Sequence, residues 1–140
     1  MGRRTKSTAK RVLPTNGELS ILNALWDLGE GTVEEVIVRL PSNNPANYKT
    51  VQSLLRIMEN KGLVHHTMRG RAFVFRPRVT RDEVGGSLTK QLLDRTFRGS
   101  CSALIMNLLD TNDVKDQELD ELEALIQGHR DRKKKNELSK

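Results

Sequence analysis

Asn47–Lys61, NYKTVQSLLRIMENK, and the run that follows it, Leu63–Pro77 (LVHHTMRGRAFVFRP), decide how the chain is read. In the first segment apolar side chains fall at Tyr48, Val51, Leu55 and Met58, steps of three, four and three, which line one face of an α-helix. The other face carries Lys49, Thr50, Ser53, Arg56 and Asn60, with no carboxylate until Glu59. Asn47 is placed as N-cap and Gly62 as the C-terminal stop. Two strand-like runs come next, Leu63–Thr67 and Arg71–Arg76, joined by Met68, Arg69 and Gly70. A helix with a short polar face, followed at once by a basic-tipped hairpin, is the arrangement by which a winged helix places a helix in the major groove and a hairpin beside it. The alternative is an ordinary amphipathic helix with a solvated face.

Working towards the N-terminus, Thr15 and Glu18 form a T-x-x-E capping box ahead of Leu19, Leu22, Leu25 and Trp26, and Gly29 closes that helix. Thr32 and Glu35 repeat the pattern before Val36, Ile37 and Leu40, and Pro41 ends the second helix. Ser42–Ala46 connects to the third. The order α-α-α-β-β is a helix-turn-helix with a wing. Val33 is a candidate for a third short strand. Phe73 and Phe75 share one face of the hairpin by alternation and are expected in the core. Arg69 and Arg71 bracket Gly70 at the tip, either as a solvated turn or as contacts to phosphate or the minor groove.

Working the other way, Thr80 and Glu83 give a third capping box, and the helix behind it presents Val84, Leu88, Leu92 and Phe97 before Gly99. Ser100 caps a helix with Leu104, Ile105, Leu108 and Leu109 on its apolar side. An acidic loop, Asp110–Asp116, precedes a last helix with Leu119, Leu122 and Ile126. Three amphipathic helices in succession bury their stripes poorly alone. Pairing with a second copy solves this, so a homodimer is expected. The other solution is packing onto the front domain. The expected division is a disordered basic arm (1–12), a winged helix (13–78), a helical dimerisation region (79–127) and a disordered charged tail (128–140).

Charge follows the same division. Of 140 residues, 24 are Lys or Arg and 18 Asp or Glu, a formal net charge of +6. Through Thr80 there are 13 basic and 6 acidic residues, a net +7; from Arg81 on there are 11 and 12, a net −1. The front half is the electrostatic half, and nucleic acid is its natural partner. One cysteine, Cys101, excludes an internal disulfide framework and suits a reducing cytoplasm. No apolar run approaches the roughly 20 residues that span a bilayer, so no membrane insertion is expected. The basic N-terminus lacks the apolar segment of a secretory signal.

Other chemistries find little support. His65 and His66 are adjacent on a strand and point to opposite faces, which does not suit one metal ion. His129 lies in the tail, and Cys101 has no His or thiol near it in sequence. No nucleophile elbow or glycine-rich phosphate loop is present. No cofactor, metal or catalytic residue is expected, and the chain is not read as an enzyme.

The succession LPTNGELSILNALWDLGEGTVEEV, YKTVQSLLRIMENKGLV, GRAFVFRPRVTRDEV, FRGSCSALIMNLL and ELDELEALI resembles the penicillinase-repressor (BlaI/MecI) family of bacterial transcriptional repressors, over Leu13 to Gln127. The resemblance implies a homodimer whose N-terminal winged helices read a palindromic operator and whose C-terminal helices hold the dimer. It places Lys49, Thr50 and Ser53 at groove-facing positions and Gly70 and Arg71 in the wing. It further implies control of β-lactam resistance or related genes, relieved when a membrane sensor's signalling leads to cleavage in the dimerisation region. The matching bond is Asn107–Leu108, with leucine where the family pattern has phenylalanine. One cysteine cannot build the metal site of the copper-responsive branch.

The residues expected at the DNA are thus Tyr48, Lys49, Thr50, Ser53, Arg56, Lys61, Arg69 and Arg71. Those expected at the dimer interface are Leu88, Leu92, Phe97, Leu104, Leu108, Leu119, Leu122 and Ile126. Two rivals remain from other classes: a sequence-independent architectural DNA binder, and a helical module whose acidic 110–123 stretch binds a basic protein.

Overall fold

Thr15, Thr32 and Asn47 each start a helix by the same device. Their side-chain oxygens accept from the backbone N–H three residues on, at Glu18, Glu35 and Thr50. Glu18 and Glu35 return the bond to the cap, completing two capping boxes. The helices so begun are α1 (Asn16–Leu28), α2 (Val33–Arg39) and α3 (Tyr48–Lys61). Gly62 ends α3 at φ 86°, a left-handed conformation that favours glycine. There its N–H reaches Glu59 O at 3.1 Å and the Leu63 N–H reaches Met58 O at 2.9 Å, the paired bonds of a Schellman stop. The fold comes from a computed structural model, which describes residues 13–41 and 47–138; the expected basic arm and the 42–46 connection lie outside them.

The hairpin consists of β1 (Val64–Arg69) and β2 (Ala72–Pro77), paired antiparallel from Val64 opposite Pro77 to Arg69 opposite Ala72. Its turn is Gly70–Arg71, one step later than the sequence suggests, because a two-residue loop lets Met68 and Arg69 continue the ladder. Gly70 takes φ 63° there, as the first central residue of a tight hairpin turn must.

A third, one-residue strand exists, but it is Gly31 that pairs with Phe75, through bonds of 3.0 and 2.8 Å. Val33 is the first residue of α2 and is buried. The face assignment of the two phenylalanines holds while the depth does not. Phe75 is buried, whereas Phe73, nearer the tip, is 48% exposed. Phe73 instead stacks flat on His66, with ring centroids 4.2 Å apart.

Ile21, Leu22 and Leu25 of α1, Val36 of α2, and Val51, Leu55 and Met58 of α3 close one core with Leu63, Val64 and Phe75. The chain leaving the wing is tied to it. Trp26 Nε1 donates to Val79 O at 2.9 Å, and the Arg81 guanidinium lies 5.2 Å from the Trp26 ring centroid. Val84 is buried in this core and Leu88 is half-buried against it. Both belong to α4 (Arg81–Thr96), whose Thr80–Glu83 capping box forms as expected. The first compact unit therefore ends at Leu92, well past the boundary expected at 78/79.

The second unit begins at Leu93. It holds α5 (Cys101–Thr111), capped by Ser100 Oγ accepting from the Ala103 N–H at 3.1 Å, and α6 (Asp116–Leu138). The last helix does not stop at Gly128; the segment expected as a disordered tail is helical through Leu138. No residue of α5 or α6 is buried, and Ile105, Met106, Leu108, Leu125 and Ile126 are exposed. Among the described residues no helix is long and apolar enough to cross a membrane.

Candidate nucleic-acid interface

Burying Val51, Leu55 and Met58 turns the opposite side of α3 to solvent, and Lys49, Thr50, Ser53 and Arg56 are exposed on it. Tyr48 opens the apolar stripe yet is 47% exposed, so it belongs to the accessible part of the helix. Between α3 and the wing runs a cleft of about 310 Å³. Tyr48, Gln52, Arg56 and Glu59 line it from the helix, Arg71, Ala72, Phe73 and Phe75 from the hairpin, and Thr32, Val33 and Glu34 from the start of α2.

The fold thus brings Tyr48, Arg56 and Arg71 around one groove, while Lys49, Thr50 and Ser53 stand on the helix outside it. Gln52 escaped the sequence reading. Its four-residue spacing from both Tyr48 and Arg56 was the signal available.

Two of the expected cations are engaged elsewhere. Lys61 sits in the last turn of α3, and its Nζ donates to both carboxylate oxygens of Glu18 at 2.9 Å. Glu18 is 1% exposed, so a phosphate would have to draw Lys61 away from a buried carboxylate. Lys61 is therefore a structural partner of Glu18, with its side chain still one-third exposed. Burial pushes the Glu18 carboxyl up, but hydrogen bonding from the Thr15 backbone N–H and from Lys61, with the Lys61 charge, outweighs this and holds it below the ordinary range.

Arg69 donates from Nη2 to Glu30 Oε2 at 3.0 Å, sharing that carboxylate with Arg76, whose Nε lies 2.6 Å from Oε1. Lys49, Arg56 and Arg71 form no ion pair with a carboxylate among the described residues. Arg39 and Arg78 are likewise exposed and unpaired among the described residues, but Lys49, Arg56 and Arg71 are the ones that stand on α3 and the wing tip.

The adjacent histidines part ways, as strand geometry requires. His66 Nδ1 lies 2.7 Å from Glu59 Oε2, linking the wing to α3, while His65 stands opposite Arg76 on the other face. Among the described residues no three His, Cys, Asp or Glu side chains gather in a way that could hold a metal ion.

The sequence signature described as "Penicillinase repressor" matches residues 14–128, which spans the winged helix and most of the helices behind it. The chain belongs to the penicillinase repressor family. The penicillinase repressor of Bacillus licheniformis is 26% identical over 120 residues, covering 86% of this chain and 94% of that protein. The methicillin resistance regulatory protein MecI of Staphylococcus aureus is 17% identical over 112 residues, covering 80% of this chain and 91% of its own. Among solved structures, the monomeric form of Bacillus licheniformis BlaI in complex with the blaP half-operator matches 51% of this chain and 88% of its own, at 26% identity and a TM-score of 0.45. The family and the fold agree with the resemblance drawn from the sequence.

Proposed function

We propose that this member of the penicillinase repressor family is a homodimeric transcriptional repressor that occupies a palindromic operator. The exposed face of α3 enters the major groove, where Lys49, Thr50 and Ser53 read base edges, while Arg56 and Arg71 meet the sugar–phosphate backbone on either side of the cleft. The observation that carries this reading is the pairing pattern. Carboxylates within the domain take Lys61 and Arg69, yet none among the described residues takes Lys49, Arg56 or Arg71, which stand on α3 and the wing tip.

Dimerisation is supported by the second unit, which exposes Leu108, Leu119 and Ile126 and buries no side chain of α5 or α6. Leu92, Phe97, Leu104 and Leu122 extend the same interface, while half-buried Leu88 serves the winged-helix core as well. Release follows the family pattern: a membrane sensor's signalling leads to cleavage between Asn107 and Leu108, both exposed. The genes controlled are those of β-lactam resistance or a related response, and the protein acts in the cytoplasm.

The base-reading role is tested with Thr50→Ala and Ser53→Ala. Both positions are exposed, so the fold should persist while preference for operator over scrambled duplex falls. A loss of about 1–3 kcal/mol of discrimination per good base contact is expected, read by competition binding. Unchanged discrimination would remove these residues from the readout.

A further inference from the structure

Glu30 stands in the short turn between α1 and α2, yet it holds the wing. Each of its oxygens takes a different strand. Arg69, at the end of β1, reaches one at 3.0 Å, and Arg76 of β2 reaches the other at 2.6 Å. One residue on, the backbone of Gly31 exchanges both of its bonds with Phe75. The register puts Arg69 and Arg76 on the face of the hairpin opposite His66, Phe73 and Phe75. On that second face His66 meets Glu59 of α3. Carboxylates therefore fix the hairpin from both sides, one from the α1–α2 turn and one from the recognition helix.

The electrostatics make Glu30 notable. In a front half with a net charge of +7, a single carboxylate occupies two of the wing's arginines, one at its tip end and one at its base. Hydrogen bonding and charge from Arg76, with Arg69 behind, hold the Glu30 carboxyl below its ordinary range. A protein under demand only for affinity to a polyanion gains from freeing those cations, since each phosphate neutralised adds counterion release. Exposed ion pairs contribute little to folding stability, so stability is a weak reason for the arrangement. What the clamp provides is position: it ties the tip end of β1, at Arg69, and the base end of β2, at Arg76, to the α1–α2 turn.

We propose that Glu30 is a specificity-determining positioning residue. It anchors the wing so that Arg71 stays beside the recognition helix, and it withholds Arg69 and Arg76 from sequence-independent phosphate contact. The proposal rests on the DNA-binding reading above.

The test uses the full chain and two probes: the duplex that wild-type protein enriches from a randomised pool, and a shuffled duplex of equal length and composition. Glu30→Gln should keep wild-type circular dichroism and lower the enriched-to-shuffled affinity ratio by about tenfold, the order of one good base contact. Its affinity for the shuffled duplex should rise, with a salt dependence steeper by about one to two units per subunit as the arginines are freed. Arg76→Gln provides a second variant of the same clamp. It should lower the ratio without raising shuffled-duplex affinity, and the double variant should be no worse in ratio than Glu30→Gln alone. A merely structural bridge would lower the melting temperature and leave the ratio intact, which overturns the proposal. An equal rise on both duplexes also overturns it, since Glu30 would then only screen charge. If the wild-type chain enriches no duplex, the DNA-binding reading fails and this inference falls with it.

Discussion

Lys61 shows how a residue legible in kind can have a partner that its local sequence does not reveal. It ends a helix with a basic polar face, and in sequence it looks like one more phosphate contact. Its partner Glu18 is 43 residues earlier and was legible only as the second half of a capping box. The structure has Glu18 cap α1 and pair with Lys61 at once, a coincidence of tertiary packing that no local pattern carries. Breaking the pair leaves a buried carboxylate without its counter-charge. Lys61→Met should therefore destabilise the fold by about 1–3 kcal/mol in urea unfolding at neutral pH. Because folding depresses the Glu18 pKa, its contribution is fully present above the unfolded value, about pH 4.3, and is lost as pH falls through the folded value. The gap between wild type and Lys61→Met should accordingly narrow in acid. A constant gap from pH 7 to pH 3 would show that the loss came from packing instead.

The elements themselves were almost fully legible, because their signals are local. Capping boxes at Thr15, Thr32 and Thr80, the Asn47 cap and the Gly62 stop depend on residues three or four apart, and each forms as the spacing requires. What sequence could not show was where an element meets its neighbours. Phe73 and Phe75 alternate correctly, but alternation does not show that Phe73, nearer the tip, stays half-exposed and stacks on His66. Likewise the Val84–Leu88 stripe of α4 was legible, while its attachment to the winged helix through Trp26, Val79 and Arg81 was not. The wing tip carries its own prediction. Arg71 has no carboxylate partner among the described residues, so Arg71→Ala should weaken binding to operator and random duplex alike. The slope of log K against log salt should become shallower by about one unit for each phosphate that a subunit no longer neutralises. An unchanged slope would make Arg71 a solvated turn residue.

At the scale of the whole molecule the two units have different physics. The first closes a core around Leu22, Leu55 and Val64 and has what it needs to fold. The second leaves its apolar stripes open, which is why its partner had to be inferred from periodicity and why the interface residues stay a proposal. Two half-sites bound through one dimer make the second binding event intramolecular, so affinity rises by orders of magnitude with no new DNA-facing group. A chain ending at Asn107 lacks Leu108, Leu119, Leu122 and Ile126 but keeps the entire first unit. It should sediment as a monomer at low concentration, retain helical and strand signals in circular dichroism, and lose tight operator binding. If it stays dimeric and binds as before, dimerisation lies elsewhere.

The most direct test is a hydroxyl-radical footprint of the intact protein on the DNA upstream of its own gene. A dimer that presents two copies of α3 to one face of the duplex should protect two symmetric half-sites, centred about one helical turn apart or a multiple of it. Protection spread evenly along the duplex, or none at salt near 0.15 M, would contradict the reading of this chain as a dimeric, sequence-specific repressor.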